Sequence, residues 1–254
     1  MPRFWNFKNI SESEVELRVE GEIVDDSWAW IYDWFGDPYT SPNQFRQALS
    51  EHKGKDIVVW IDSWGGDVFA GMGILNALLE HKGKKIVKVE KAVSAGHLIS
   101  MAGDEIWMMP GGIMMMHNVW GDVRGEAKDL RHAADVYDEI KEAIVNVYER
   151  KTGKERDELS RLMDEETWMS AKKAVAEGFA TGILHTETEQ GENASAFSFS
   201  RMAIQNSATA AMQRFFEKWQ EKQGTDPEVT PENRINNIKM RIAVREKQNR
   251  RNAQ

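Results

Sequence analysis

The stretch from Asp56 to His81, DIVVWIDSWGGDVFAGMGILNALLEH, narrows the available folds more than any other part of the chain. Its first six residues form a nearly unbroken apolar run of strand length, as in a strand covered on both faces. From Val68 to His81 the apolar residues recur at helical spacing, and Gly83 stops the pattern. A buried strand that passes straight into a helix predicts a parallel sheet, because parallel strands need a crossover connection. Gly65 and Gly66 sit at the join. Two glycines there bring the backbone close to a phosphate, a packed neighbour or a reacting carbonyl. No GxxxxGK[ST] follows and the spacing is not GxGxxG, which counts against a phosphate. Both glycines can adopt backbone angles closed to other residues and turn an N–H outward, as an oxyanion hole requires. A tight turn with no chemical role is the other reading of the same pair.

The strand–helix alternation extends along most of the chain. Glu14–Asp25 alternates charged and apolar residues as a half-exposed strand does. Ser41-Pro42 reads as an N-cap with proline at the first helical position, leading to a stop at Gly54. Further strands are predicted over Lys85–Val89, Glu105–Met109 and Ile113–Val119, with a short helix over Ser94–Gly103. A long amphipathic helix over Gly125–Arg150 carries Leu130, Ala133, Tyr137, Ile140, Ile144, Val147 and Tyr148 on one face. Helices from about Arg156 to Met163 and from Ser170 to Glu177 complete an α/β domain with parallel strands and crossover helices. After Glu187 the character changes. QGENASAFSFS reads as a linker, Met202–Glu221 as an amphipathic helix, and the last residues as a basic segment. The expected division is a domain over 1–187 and a helical or flexible appendage over 188–254.

Composition removes several classes of function. With no cysteine there is neither a disulfide framework nor a thiolate site, and the six histidines form no HxxxH or HxH pair, so no metal site and no cofactor are expected. No segment has signal-peptide or membrane-span character, so a cytoplasmic protein without membrane contact is expected. A net charge of −8 argues against nucleic-acid binding by the body of the chain. From Arg234 onward seven Lys/Arg face one Glu, so an acidic body ends in a basic tail. Most such charge runs are solvated; a docking or scaffold role is the functional alternative.

Three further stretches could carry chemistry. In KAVSAGHLISMAGDE, Ser94 stands where a strand gives way to a helix, among the small residues Ala92, Ala95 and Gly96. It is either the helix N-cap or a hydroxyl exposed at the end of the sheet, with the Ala95 N–H beside it. His117 closes the run IMMMHN. It is either a structural residue of a buried strand or a general base, the side chain whose ordinary pKa lies nearest neutrality. His97 is a rival, but one turn past Ser94 it is better placed to pack behind the helix. In LMDEETWMSAKKAVAEGFA, Asp164, Glu165 and Glu166 precede a helix, where acidic residues suit the dipole and where one could orient an imidazole.

Taken in order, GGDVFAG, the serine turn running into SMAGDE, MMMHN and ETWMSAKKAVAEGFA resemble the Clp protease proteolytic subunit over about residues 14–185. They are most similar to its phage and prophage relatives, the head maturation (prohead) proteases. The resemblance implies a ClpP/crotonase-like α/β fold and a serine endopeptidase. Carried over by position, it makes Ser94 the nucleophile, His117 the general base and Glu166 the third member, with Asp164 in reserve. The Gly66 and Ala95 N–H groups would form the oxyanion hole. Gly65, Asp67, Val68, Phe69 and Ala70 would line a groove where an extended peptide adds as a strand. It implies stacked homo-oligomeric rings and protein substrates, here capsid, portal or scaffold proteins, with the prohead as a further location. No apolar N-terminal loop of the kind that docks an ATPase unfoldase is evident, which leaves such a partner open.

Three residues depart from the family pattern: Trp64 in place of proline before the glycines, Glu90 in place of a glycine opening the serine turn, and His97 in place of a small residue. They motivate the alternative of a weakly active or inactive assembly protein that keeps the fold. Crotonase-like acyl-thioester chemistry would use the same glycine donor without a serine–histidine pair, and the presence of both residues argues against it.

Overall fold

The computed structural model describes residues 8–9 and 14–184. The appendage expected over 188–254 lies outside them. The strands are β1 (Lys8–Asn9), β2 (Glu14–Ile23), β3 (Tyr39–Thr40), β4 (Asp56–Gly66), β5 (Lys85–Val93), β6 (Glu105–Met116), β7 (Thr167–Ser170) and β8 (Gly182–Ile183). The helices are α1 (Ala29–Phe35), α2 (Pro42–Ser50), α3 (Val68–Glu80), α4 (Ala95–Ser100), α5 (Ala127–Thr152), α6 (Arg156–Asp164) and α7 (Ala171–Ala176). One sheet has the order β1-β2-β4-β5-β6-β7, with β3 beside β2 and β8 beside β6. Its central strands β2, β4, β5 and β6 are parallel, and only β1 and β7 run against their neighbours. The alternating sequence pattern thus gives a mixed α/β fold with a mostly parallel sheet, consistent with the ClpP-like fold.

Burial explains why the central strands are so apolar. Val15 and Val19 of β2, Val59 and Ile61 of β4, Val87 and Val89 of β5, and Ile106 and Met108 of β6 are wholly buried. They pack with Ile74, Leu75 and Leu78 of α3 and with Leu98 and Ile99 of α4 in one core. Each such side chain contributes about 1.5–3 kcal/mol when removed from water. The opposite face of the sheet is amphipathic. The Arg18 guanidinium and the Lys88 ammonium lie over the Trp60 ring at 5.3 and 5.1 Å, so charged groups rest on an aromatic face there.

Several elements differ from expectation. The strands expected over Glu105–Met109 and Ile113–Val119 are one strand, β6, running through Pro110-Gly111-Gly112. The ladder with β5 jumps from Val89↔Met108 to Lys91↔Ile113, so the proline lies in a bulge where its missing N–H breaks no rung. β4 continues through Gly65 and Gly66, which pair with Glu22 and Ile23 of β2 instead of leaving the sheet as a turn. α2 ends at Ser50, short of Gly54. α5 buries only Ile144, Val145 and Tyr148; Leu130 of the expected apolar side is exposed, as is Val136, so its first half projects from the core. α1 has no counterpart in the sequence reading. It buries no residue, and Trp28, Trp30 and Trp34 are each about half exposed. Among the described residues no helix is long and apolar enough to cross a membrane.

Candidate active site

The parallel strands β4 and β5 deliver Gly66 and Ser94 to the same end of the sheet, because both chains run out at their C-terminal ends. Ser94 is held in a rare backbone conformation, φ 56° and ψ −120°. A serine there costs about 1–3 kcal/mol, so surrounding bonds must fix it. Its N–H donates to the Met115 carbonyl at 2.9 Å, and its carbonyl accepts from the Leu98 N–H at 3.1 Å. Although Ser94 occupies the N-cap position of α4, its side chain makes no capping bond. The Oγ lies 2.7 Å from His117 Nε2 instead. Ser94 thus holds the N-cap position without using its hydroxyl as the cap.

The glycines have separate reasons. A Cβ on Gly65 would lie 2.7 Å from Ser94 Cβ and 3.1 Å from the Ala95 nitrogen, so its bareness lets the strand touch the serine turn. The Gly65 N–H donates to Ser63 Oγ at 3.0 Å, and that hydroxyl donates to the Gly21 carbonyl at 2.6 Å. Gly66 has φ 146°, and a Cβ there would lie 2.0 Å from the Ile23 carbonyl oxygen. The same carbonyl accepts from the Asp67 N–H at 2.7 Å. Asp67 then caps α3, its Oδ1 accepting from the Ala70 N–H at 2.7 Å. Ala95 begins α4, where the first N–H groups have no partner within the helix. Phe69, in the first turn of α3, is 63% exposed beside Gly66 and Asp67, while Val68 is half-buried and Ala70 buried.

His117 leaves the sheet just after Met114, Met115 and Met116, all fully buried. The antiparallel ladder ends with Met116 opposite Thr167, so His117 and Glu166 are the residues that flank its last rung. Glu166 also has a positive φ, 50°, and its carboxylate accepts from Trp168 Nε1–H at 3.4 Å. Asp164 is engaged elsewhere. Its Oδ1 lies 2.6 Å from Lys141 Nζ and 2.7 Å from Asn118 Nδ2, and these hold its carboxyl below the usual range. Asn118 and Lys141 were not singled out from the sequence; the position of Asn118 directly after His117 was the one available signal.

The three departures take distinct roles. Glu90 is exposed and skipped in the ladders to both β4 and β6, so it is the bulge residue that resets the register before the serine turn. Trp64 is half-buried, with Lys91 Nζ 4.8 Å from its ring, and Lys91 in turn pairs with Asp62 at 2.7 Å. His97 is fully buried behind α4, with Nδ1 3.1 Å from the Tyr148 hydroxyl and its ring 5.2 Å from that of Phe179. It faces α5, not the serine hydroxyl.

Burial pushes the His97 pKa down to about 3, so it is neutral in the fold. Once unfolded it titrates near 6.5. Between these values the unfolded chain holds the extra proton, so stability falls as pH drops below about 6.5. The slope reaches about 1.4 kcal/mol per pH unit. Urea midpoints measured at pH 7 and 5 are expected to differ by about 2 kcal/mol of stability. His97→Phe should flatten that difference, and an unchanged difference would refute the assignment.

A family model described as Clp protease matches residues 43–187, which include Ser94, His117 and Glu166. The chain belongs to the Clp protease family. It is 28% identical over 155 residues to the ATP-dependent Clp protease proteolytic subunit of Porphyromonas gingivalis, covering 58% of this chain and 69% of that one. The Clp match begins after α1, so the tryptophan-bearing helix lies before the part shared with the family model.

Proposed function

We propose that this Clp-family chain is an active serine endopeptidase, with Ser94 as nucleophile, His117 as general base and Glu166 as the acid that orients it. The 2.7 Å contact between Ser94 Oγ and His117 Nε2, made from a strained serine that declines its capping bond, carries the reading. In this mechanism the hydroxyl donates its proton to Nε2 as Oγ attacks the peptide carbonyl. The imidazolium then passes that proton to the leaving amine, and water repeats the sequence to release the acyl group. Backbone N–H groups of Gly66 and Ala95 stabilise the oxyanion, a term commonly worth about 3–4 kcal/mol per donor. The groove beside Asp67, Val68, Phe69 and Ala70 takes the substrate as an added strand, with Phe69 offering an apolar contact.

Glu166 carries charge to the far side of His117 and fixes the imidazole tautomer. Glu166→Gln should lower kcat by roughly 10²- to 10⁴-fold with little change in KM. A peptidase assay on the variant that matched wild type would remove Glu166 from the triad.

The substrates in this reading are capsid, portal or scaffold proteins in phage head assembly, an assignment supported by the likeness of the motif series to the head maturation branch. The Clp family acts on protein substrates and forms oligomeric rings, and the projecting half of α5, with Leu130 and Val136 exposed, suits a contact between copies. Co-expression of wild type and Ser94→Ala with the neighbouring capsid and portal genes, read by mass spectrometry, tests it. Serine-dependent cleavage of those proteins is expected. Labelling by an active-site probe without any such cleavage would retain the peptidase and overturn the head-maturation role. Residues 188–254 form a separate appendage in this proposal; deleting them should leave cleavage of a short peptide within about twofold, since no group assigned to the reaction lies there.

A further inference from the structure

We propose that Lys141, Asp164 and Asn118 form a positioning network that fixes His117, and that Asp164 acts there as a hydrogen-bond acceptor and not as the triad acid. The inference rests on the serine-peptidase reading and assigns a role to residues that the reading leaves unused. The ladder between β6 and β7 stops at Met116 and Thr167, so His117 is the first residue beyond β6. Residues 117–126 then run without regular structure to α5. The segment that begins at His117 is tied down at its next residue. Asn118 donates from Nδ2 to Asp164 Oδ1 at 2.7 Å, across to the end of α6.

The chemistry of the partners sets the orientation of that amide. An ionised carboxylate only accepts, so Asn118 must turn its NH₂ toward Asp164 and its carbonyl oxygen away. Lys141 Nζ, 2.6 Å from the same Oδ1, keeps the carboxylate ionised. The lysine side chain is largely buried on α5, whereas that of Asp164 is about half exposed, so the cation is the anchored end of the network. Asn118 Oδ1 is buried without a protein partner. Leaving an amide oxygen unpaired is costly, so the side chain is seated through its NH₂ bond to Asp164. Three elements, the β6 end, the α6 end and α5, thus meet at the residue after the proposed base.

The test compares Asp164→Ala, Asp164→Asn and Glu166→Gln in the full chain. Readouts are the rate of fluorophosphonate labelling at Ser94 and kcat and KM on a peptide. Asp164→Ala removes the acceptor and should lower kcat about tenfold at unchanged KM, the effect of a small displacement of the base. Asp164→Asn keeps an acceptor oxygen for Asn118 and should recover activity to within about threefold of wild type, whereas Glu166→Gln should not recover. Wild-type rates in Asp164→Ala would overturn the network. An Asp164→Asn enzyme as impaired as Glu166→Gln would overturn the positioning role in favour of an acid role. A second measurement stands apart from activity: the His117 ring resonances, assigned by their loss in His117→Ala, should shift in Asp164→Ala and return in Asp164→Asn. If wild type is not labelled at all, the peptidase reading fails, and the resonances alone decide the network: a shift supports it and no shift refutes it.

Discussion

Ser94→Ala is expected to abolish labelling by a fluorophosphonate and to lower peptide turnover by roughly 10⁴- to 10⁶-fold. His117→Ala should cost about as much, and the double variant little more, because the two side chains act as one unit. The reasoning is geometric. Ser94 Oγ has one close partner of the right chemistry, His117 Nε2 at 2.7 Å, and it has given up the helix cap that its position offers. Serine is favoured at N-caps because that bond is worth about 1 kcal/mol, and the backbone angles of Ser94 cost more still. A fold that carries both costs, with the bond to Met115 holding the turn in place, is organised to present the hydroxyl. Labelling that persists in Ser94→Ala would move the nucleophile elsewhere. Labelling absent from wild type would favour the alternative of an inactive assembly protein.

How much of this could be read from the residues depended on the range of the interaction. The parallel sheet was legible because β4 is apolar on both faces and passes directly into the helical spacing of α3. The serine turn was legible as a strand–helix junction lined by small residues, but its positive φ was not, since serine gives no local sign of it. Pro110 and Gly111 read as a break because that is their usual effect. A bulge absorbed them and β6 continued, which depends on the register with β5 and not on local sequence. Glu90 misled in the same manner: it stands where a glycine was expected, and the structure uses it as a bulge residue in which side-chain size hardly matters. α1 was missed although Trp30 and Trp34 stand at helical spacing, because it is only seven residues long and buries none of them. The choice of Glu166 came from resemblance alone, since the antiparallel ladder that ends next to it and to His117 joins segments about fifty residues apart. Lys141 had no signal of its own for the same reason, and Asn118 had only its place directly after His117.

The second large effect falls on the two glycines, and they should fail differently. Gly66→Ala places a methyl group 2.0 Å from the Ile23 carbonyl oxygen at φ 146°. The obstacle is backbone, and that carbonyl already accepts the Asp67 N–H that starts α3, so relief requires parting β2 from β4. Strain at such a φ costs about 1–3 kcal/mol and overpacking a similar amount. The sum, about 4 kcal/mol, corresponds to a fall of about 10 °C in Tm for a domain of this size. Gly65→Ala, at φ 98°, meets the Ser94 Cβ at 2.7 Å and the Val93 carbonyl at 2.8 Å. The mobile neighbour there is the serine turn itself, so the damage goes first to the seat of the nucleophile. Gly65→Ala should therefore lose Ser94 labelling at temperatures where it remains folded, whereas Gly66→Ala should lose labelling and fold together. Thermal melts and probe labelling run in parallel on both variants decide the matter. If Gly66→Ala melts and labels as wild type does, the close approach to Ile23 is not what requires a glycine at that position, and the oxyanion donor assigned to it loses its structural support.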